Sequence, residues 1–246
     1  MLTTKKRRPL LLAARVFLCF MVFLLPGLVL ISLAGVISSA PALPTMQEIP
    51  PTVILDAGHG GEDGGAVGVN GVLEKDLNLS VTLGIATLLR EAGVRVILTR
   101  EEDRLLYTEE ENIKGHRKEY DLKNRLSVAE EYPEALFVSI HMNTFSSPRY
   151  SGLQVYYART EGSAALAESI QNAVKERLQP ENTRKIHAAS SSIYLLENAV
   201  GRAVLVECGF LSNPMECDKL SQKDYKTQLS FSIFCGIMEY IEATRG

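Results

Sequence analysis

The chain has 246 residues, 46% of them hydrophobic and 22% charged, an ordinary globular composition. Five cations (Lys5, Lys6, Arg7, Arg8, Arg15) and one acid (Glu48) precede Pro51, which leaves 21 basic and 28 acidic residues, a net charge of −7, for the remainder. That balance excludes an electrostatic footprint for nucleic acid and gives no reason for tight binding to polyanions.

The N-terminus reads as an export signal. Behind the cluster Lys5, Lys6, Arg7 and Arg8, residues 16–37 form an uncharged, mostly apolar run of 22 residues. Such a run is long enough to cross a bilayer, and the positive charges ahead of it favour a cytoplasmic N-terminus with everything downstream outside. The small residues Ala40, Pro41 and Ala42 offer a cleavage site, but the length of the run favours an uncleaved anchor over a secreted form. Residues 1–40 are therefore expected to form a transmembrane or signal helix, residues 41–51 a proline-rich linker, and residues 52–246 one domain of roughly 195 residues with its own core. Cys208, Cys217 and Cys235 show no metal-ligand spacing and read best as small hydrophobes.

Beyond the linker, short apolar runs alternate with helical patterns. Strands are expected at residues 52–56, 94–98, 136–141, 153–157 and 203–207. Helices are expected at residues 75–91, where Leu77, Val81, Leu83, Ile85, Leu88 and Leu89 mark an apolar face, and at 121–131, 163–178 and 225–242. Gly93 is placed to end the first of these. The alternation predicts an α/β fold in three layers: a twisted, mostly parallel sheet with helices on both faces.

In such sheets functional groups gather beyond the carboxyl ends of the strands. His59 follows the first strand in a glycine-rich loop, His141 ends a later one, and Glu207 ends another. Glu74 opens the helix after the loop. Two imidazoles and a carboxylate with an open fourth position make a common catalytic zinc set, and a second carboxylate can act as base toward water. Each residue taken singly also has an ordinary reading: His59 as a turn residue, Glu74 as a helix N-terminal charge, His141 as a hydrogen-bonded strand end, Glu207 as a paired structural acid. The glycine loop does not read as a phosphate cradle, because no Gly-Lys-Ser/Thr follows it and the helix begins too late.

Four blocks in order decide between these readings: ILDAGHGGEDGGAVG (residues 54–68) with GVLEKDLNL (71–79), VILTRE (96–101), FVSIHMN (137–143) and VECGFLSNPMEC (206–217). They resemble the zinc-dependent N-acetylmuramoyl-L-alanine amidases, the type 3 amidases, across the whole exported part. Ala57 stands where that family usually has proline, and Cys208 where it commonly has an aliphatic residue; neither is a ligand. The resemblance implies that His59, Glu74 and His141 hold one Zn²⁺ and that Glu207 is the catalytic carboxylate. The reaction implied is hydrolysis of the amide between the lactyl group of N-acetylmuramic acid and L-alanine, on a glycan strand carrying a peptide stem. Asn143 is a weaker candidate for holding His141 or substrate, and Arg125 for facing the peptide stem. A wall carboxypeptidase or endopeptidase and a non-catalytic wall-binding module are the competing readings. The intact ligand set opposes the second, and the runs EKDLNL and ECGFLSNP oppose the first.

The layout of anchor, linker and one domain without binding repeats, with the loop at residues 100–121 and the stretches at 181–185 and 193–198, is similar to the germination-specific amidases of spore-forming Gram-positive bacteria. That resemblance implies work on spore cortex as a step toward muramic-δ-lactam, in the space between the forespore membranes. Placement would come from the membrane helix or from a protein partner.

Overall fold

The structure, a computed structural model, describes residues 50–245. The expected membrane segment at residues 16–37 lies outside the described residues, as does most of the linker. Among the described residues no helix is long and apolar enough to cross a membrane.

The strands are β1 (Thr52–Ala57), β2 (Arg95–Leu98), β3 (Leu136–Asn143), β4 (Gln154–Tyr157), β5 (His187–Ala188) and β6 (Ala203–Phe210). The helices are α1 (Glu74–Glu91), α2 (Arg117–Glu131), α3 (Ser163–Arg177), α4 (Tyr194–Glu197), α5 (Pro214–Ser221) and α6 (Lys223–Thr244). One six-stranded sheet runs in the order β2-β1-β3-β6-β4-β5. It is mixed: β1 pairs in parallel with β2 and β3, β3 with β6, and β4 with β5, while β4 runs antiparallel to β6.

The central strands read as continuous apolar runs because both their faces are covered. Side chains alternate across a strand, so Val138 and Ile140 of β3 join Val53, Leu55, Val204 and Val206 in the larger core, under α1, α3 and α6. Phe137 turns the other way, with Ile54, Ala203 and Leu205, into a smaller core closed by Leu126 of α2 and Leu195 and Leu196 of α4. Helix α1 presents Leu77, Val81, Ile85 and Leu89, spaced by four and each at most 2% exposed. Burial of each contributes about 1.5–3 kcal/mol. Asp76 in its first turn and Arg90 in its last suit the helix dipole. Gly93, at φ 79°, turns the chain into β2. Helices α3 and α6 cross at close range, since a Cβ on Gly236 would lie 2.6 Å from the Ile170 Cα.

Three short elements escaped the sequence reading. Strand β5 has two residues and α4 one turn, too little for any period to show. Helix α5 falls outside the expected elements: the Asn213 side chain accepts from the backbone N–H groups of Met215 and Glu216, and Pro214 takes the first helical position. Helix α2 also starts at Arg117, four residues before the expected Asp121. Cys208 and Cys217 are buried, Cys235 is half-buried, and all three are free thiols.

Candidate functional site

The parallel strands β1, β3 and β6 deliver their ends to one edge of the sheet. His59 follows β1 by two residues, and His141 in β3 is the register partner of Glu207 in β6. Glu74 reaches the same place because the glycine loop folds back on itself: its N–H donates to the Ala66 carbonyl at 2.9 Å, and Lys75 N–H donates to Gly64 at 3.2 Å. One donor atom from each of His59, Glu74 and His141 lies within 4.8 Å of the others.

Glu74 organises the trio. It is 4% exposed, and its Oε2 accepts from Ala66 N–H at 2.8 Å while its Oε1 accepts from Met142 N–H at 3.1 Å. The same carboxylate faces His141 Nδ1 at 3.0 Å and His59 Nε2 at 3.3 Å. Burial would raise its carboxyl, but hydrogen bonds to the two imidazoles outweigh burial and hold it well below the ordinary carboxylate range. His59 behaves inversely. Burial pushes it down, yet hydrogen bonds to Asp63 and Glu74 raise it to about 9.

The donor set suits a divalent cation: two imidazoles and one carboxylate, with Asp63 Oδ2 on His59 Nδ1 at 2.8 Å, which leaves Nε2 on the Glu74 side as the ligand nitrogen. Two glycines make room. A Cβ on Gly58 would sit 2.2 Å from the His141 ring, and one on Gly65, at φ 67°, would sit 2.6 Å from Glu74 Oε2.

Glu207 stands apart from the trio. Its Oε2 is buried and has no hydrogen-bond partner among the described residues. Burial raises its carboxyl to about 7. It is the one acid at this edge whose oxygen is left over for other work.

Arg125 is a correction. Expected to face the peptide stem, it is 1% exposed and points into the fold. Its guanidinium binds the carboxylates of Asp56 and Asp121 and donates to the carbonyls of Ala57 and His59, each at 2.8 Å. Arg100, also 1% exposed, donates to the carbonyls of Ala57 and Gly58 at 2.8 and 3.1 Å. The two arginines grip three successive carbonyls and hold His59 in the left-handed region at φ 61°. Asp56 is fully buried, and although burial opposes it, Arg125, Ser139 and Thr99 keep its carboxyl ionised. Arg125→Met should therefore strand a buried carboxylate and lower stability by about 3–5 kcal/mol. A urea-denaturation midpoint equal to that of the parent would refute the clamp. Asn143 does not hold His141, whose ring faces Glu74 instead, and its side chain makes no hydrogen bond among the described residues.

Asp63 and Asn78 are functional neighbours the sequence reading missed. Asn78 donates to Glu74 Oε1 at 3.3 Å and to the Gly58 carbonyl at 3.1 Å. Both carry a signal, Asp63 four residues after His59 and Asn78 one helical turn after Glu74. Arg100 carries none, because its role depends on carbonyls 42 and 43 residues away in the chain.

Residues 53–239 match the family described as N-acetylmuramoyl-L-alanine amidase. The germination-specific N-acetylmuramoyl-L-alanine amidase of Bacillus subtilis is 38% identical over 189 residues, covering 76% of this chain and 78% of the relative. The CwlD amidase of Clostridioides difficile, solved in complex with the GerS lipoprotein, superposes with a TM-score of 0.75 at 39% identity, over 78% of this chain and 99% of that one. The amidase AmiC2 of Nostoc punctiforme superposes with a TM-score of 0.67 at 30% identity, over 78% and 97%.

Proposed function

The chain belongs to the N-acetylmuramoyl-L-alanine amidase family, and from that membership we propose a zinc-dependent enzyme that strips peptide stems from spore-cortex muramic acid. The observation that carries the chemistry is the gathering of His59, Glu74 and His141 with Glu207 one strand over, in register with His141. A zinc ion held by the trio would supply a Lewis acid that polarises the lactyl carbonyl and lowers the pKa of water to about 7. Glu207 accepts the proton of the attacking water. As the carbon–nitrogen bond breaks, it returns that proton to the departing nitrogen of L-alanine, so the products are a free lactyl carboxylate and a free amine. Glu74 holds both imidazoles in place, and Asp63 fixes the tautomer of His59. Asn143, whose side chain has no hydrogen-bond partner among the described residues, stands two residues beyond His141 for contact with substrate.

Two features support the cortex assignment: the name of the Bacillus subtilis relative and the coverage of most of both chains. The proposed setting is outside the cytoplasmic membrane, between the forespore membranes, with the chain tethered by residues 16–37. A mature N-terminus mapped near Leu43 would count against the tether. A protein partner for placement is part of the proposal, and the solved complex of the Clostridioides difficile relative with a lipoprotein supports it.

One experiment at two levels tests the reading. Digestion of purified peptidoglycan should release peptides with a new N-terminal alanine, cease after treatment with a chelator, and return with zinc. Spores of a deletion strain should lack muramic-δ-lactam. Cleavage within the peptide would replace the amidase reading with that of an endopeptidase or carboxypeptidase, and normal lactam content would remove the cortex assignment alone.

A further inference from the structure

One cation near the site remains unassigned. Arg184 follows the turn that leads into β5, and it is held from three sides. Its Nε donates to the Ser151 carbonyl at 2.7 Å, and its Nη1 donates to Gln154 Oε1 at 2.8 Å. The guanidinium carbon lies 4.4 Å from the centre of the Phe210 ring and 5.7 Å from that of Tyr150. Such a guanidinium is fixed in place before any ligand arrives.

No carboxylate lies within ion-pair distance of it among the described residues, although 15 pairs form elsewhere in them. The acid whose charge it feels, Glu216, is already taken up by the backbone N–H groups of Gly152 and Phe210, at 2.6 and 2.7 Å. The guanidinium is thus held in place, half-buried and without a direct ion pair among the described residues, with Glu216 acting on it only at longer range, an arrangement open to an anionic ligand.

Its place in the sheet points to the anion. His141, Glu207 and Gln154 are register partners across β3, β6 and β4, so their side chains share one face. Strands lie about 4.8 Å apart, which puts Gln154 roughly 10 Å from His141 and one strand beyond Glu207. Arg184 continues that row through its bond to Gln154. A peptide whose first amide is cut beside Glu207 reaches about 7 Å with two residues. Beyond the row, Arg184 also lines a cleft of about 820 Å³ with Tyr150, Asn182, Met215 and Lys219, enough for further stem residues.

We propose that Arg184 binds the free carboxylate of the stem residue next to L-alanine, the glutamate-type residue of peptidoglycan stems, and so makes the enzyme selective for stems in which that group is not amidated. This rests on the amidase reading above. Arg184 is a specificity residue, Gln154 and Ser151 set its direction, and Phe210 and Tyr150 set its plane.

The test uses two disaccharide-tripeptides that differ only in whether the second residue's α-carboxyl is a carboxylate or a carboxamide. With zinc-loaded full-length protein, kcat/KM for the carboxylate form should exceed that for the amide by roughly 10- to 100-fold, the range of a hydrogen bond to a charged group. Arg184→Gln should bring that ratio close to one, and Arg184→Lys should keep part of it. A variant that merely loosens the fold would slow both substrates and leave the ratio intact, which would overturn the proposal. The parent ratio decides the matter even where a variant does not fold. Equal rates on both forms overturn this assignment and leave the amidase reading standing. Cleavage of neither overturns both.

Discussion

Glu207→Gln is expected to reduce turnover by about 10²- to 10⁴-fold while the protein keeps its metal and its fold. The substitution preserves shape and removes only the capacity to take and return a proton. Glu207 is not in contact with the other members of the site through any hydrogen bond, and its Oε2 is buried without a partner. Nothing structural therefore depends on its charge. Because burial raises its carboxyl, replacement by a neutral amide should cost little stability. Turnover on muropeptides and metal content by elemental analysis are the two readings. Loss of metal in this variant would make Glu207 a ligand and overturn the division of labour between it and Glu74.

Glu74→Ala should have an effect at least as large, by a different route. It removes a proposed ligand and, with it, the group on which His59 and His141 both rest. The backbone N–H groups of Ala66 and Met142 lose their acceptor as well, so the return of the glycine loop loosens together with the strand end. Metal and activity should both disappear. His59→Ala and His141→Ala should also lose metal while leaving Glu74 hydrogen-bonded to Ala66 and Met142. Full metal occupancy in any of the three variants would remove that residue from the site.

The pair of predictions separates what the sequence carries from what only the fold supplies. His59, Glu74, His141 and Glu207 are legible because each sits at the end of a periodic element, and sheet geometry sends such ends to one place. Helix α1 and the long central strands are legible for the same reason: their apolar spacing repeats several times. The antiparallel course of β4 is not, since a four-residue run has no direction in its pattern. Arg125 shows the sharper limit. An arginine on a polar helix in front of the site reads as a surface residue, and only three-dimensional proximity reveals that its charge is consumed by Asp56 and Asp121. Helix α5 escapes for a plainer reason: it has eight residues, and it starts from the Asn213 side chain rather than from an apolar period.

The two buried arginines beneath the His59 loop also bear on assembly. A loop of seven glycines between residues 58 and 71 would be costly to order if the ion alone had to do it, because glycine backbone has more freedom to lose than any other. Arg100 and Arg125 meet that cost with bonds to the loop carbonyls made when the chain folds. An ion held by the proposed trio would then arrive in a seat already finished. In contrast to small zinc domains that collapse on chelation, the enzyme proposed above would lie dormant and folded without its ion, with metal supply acting as its ignition rather than its scaffold.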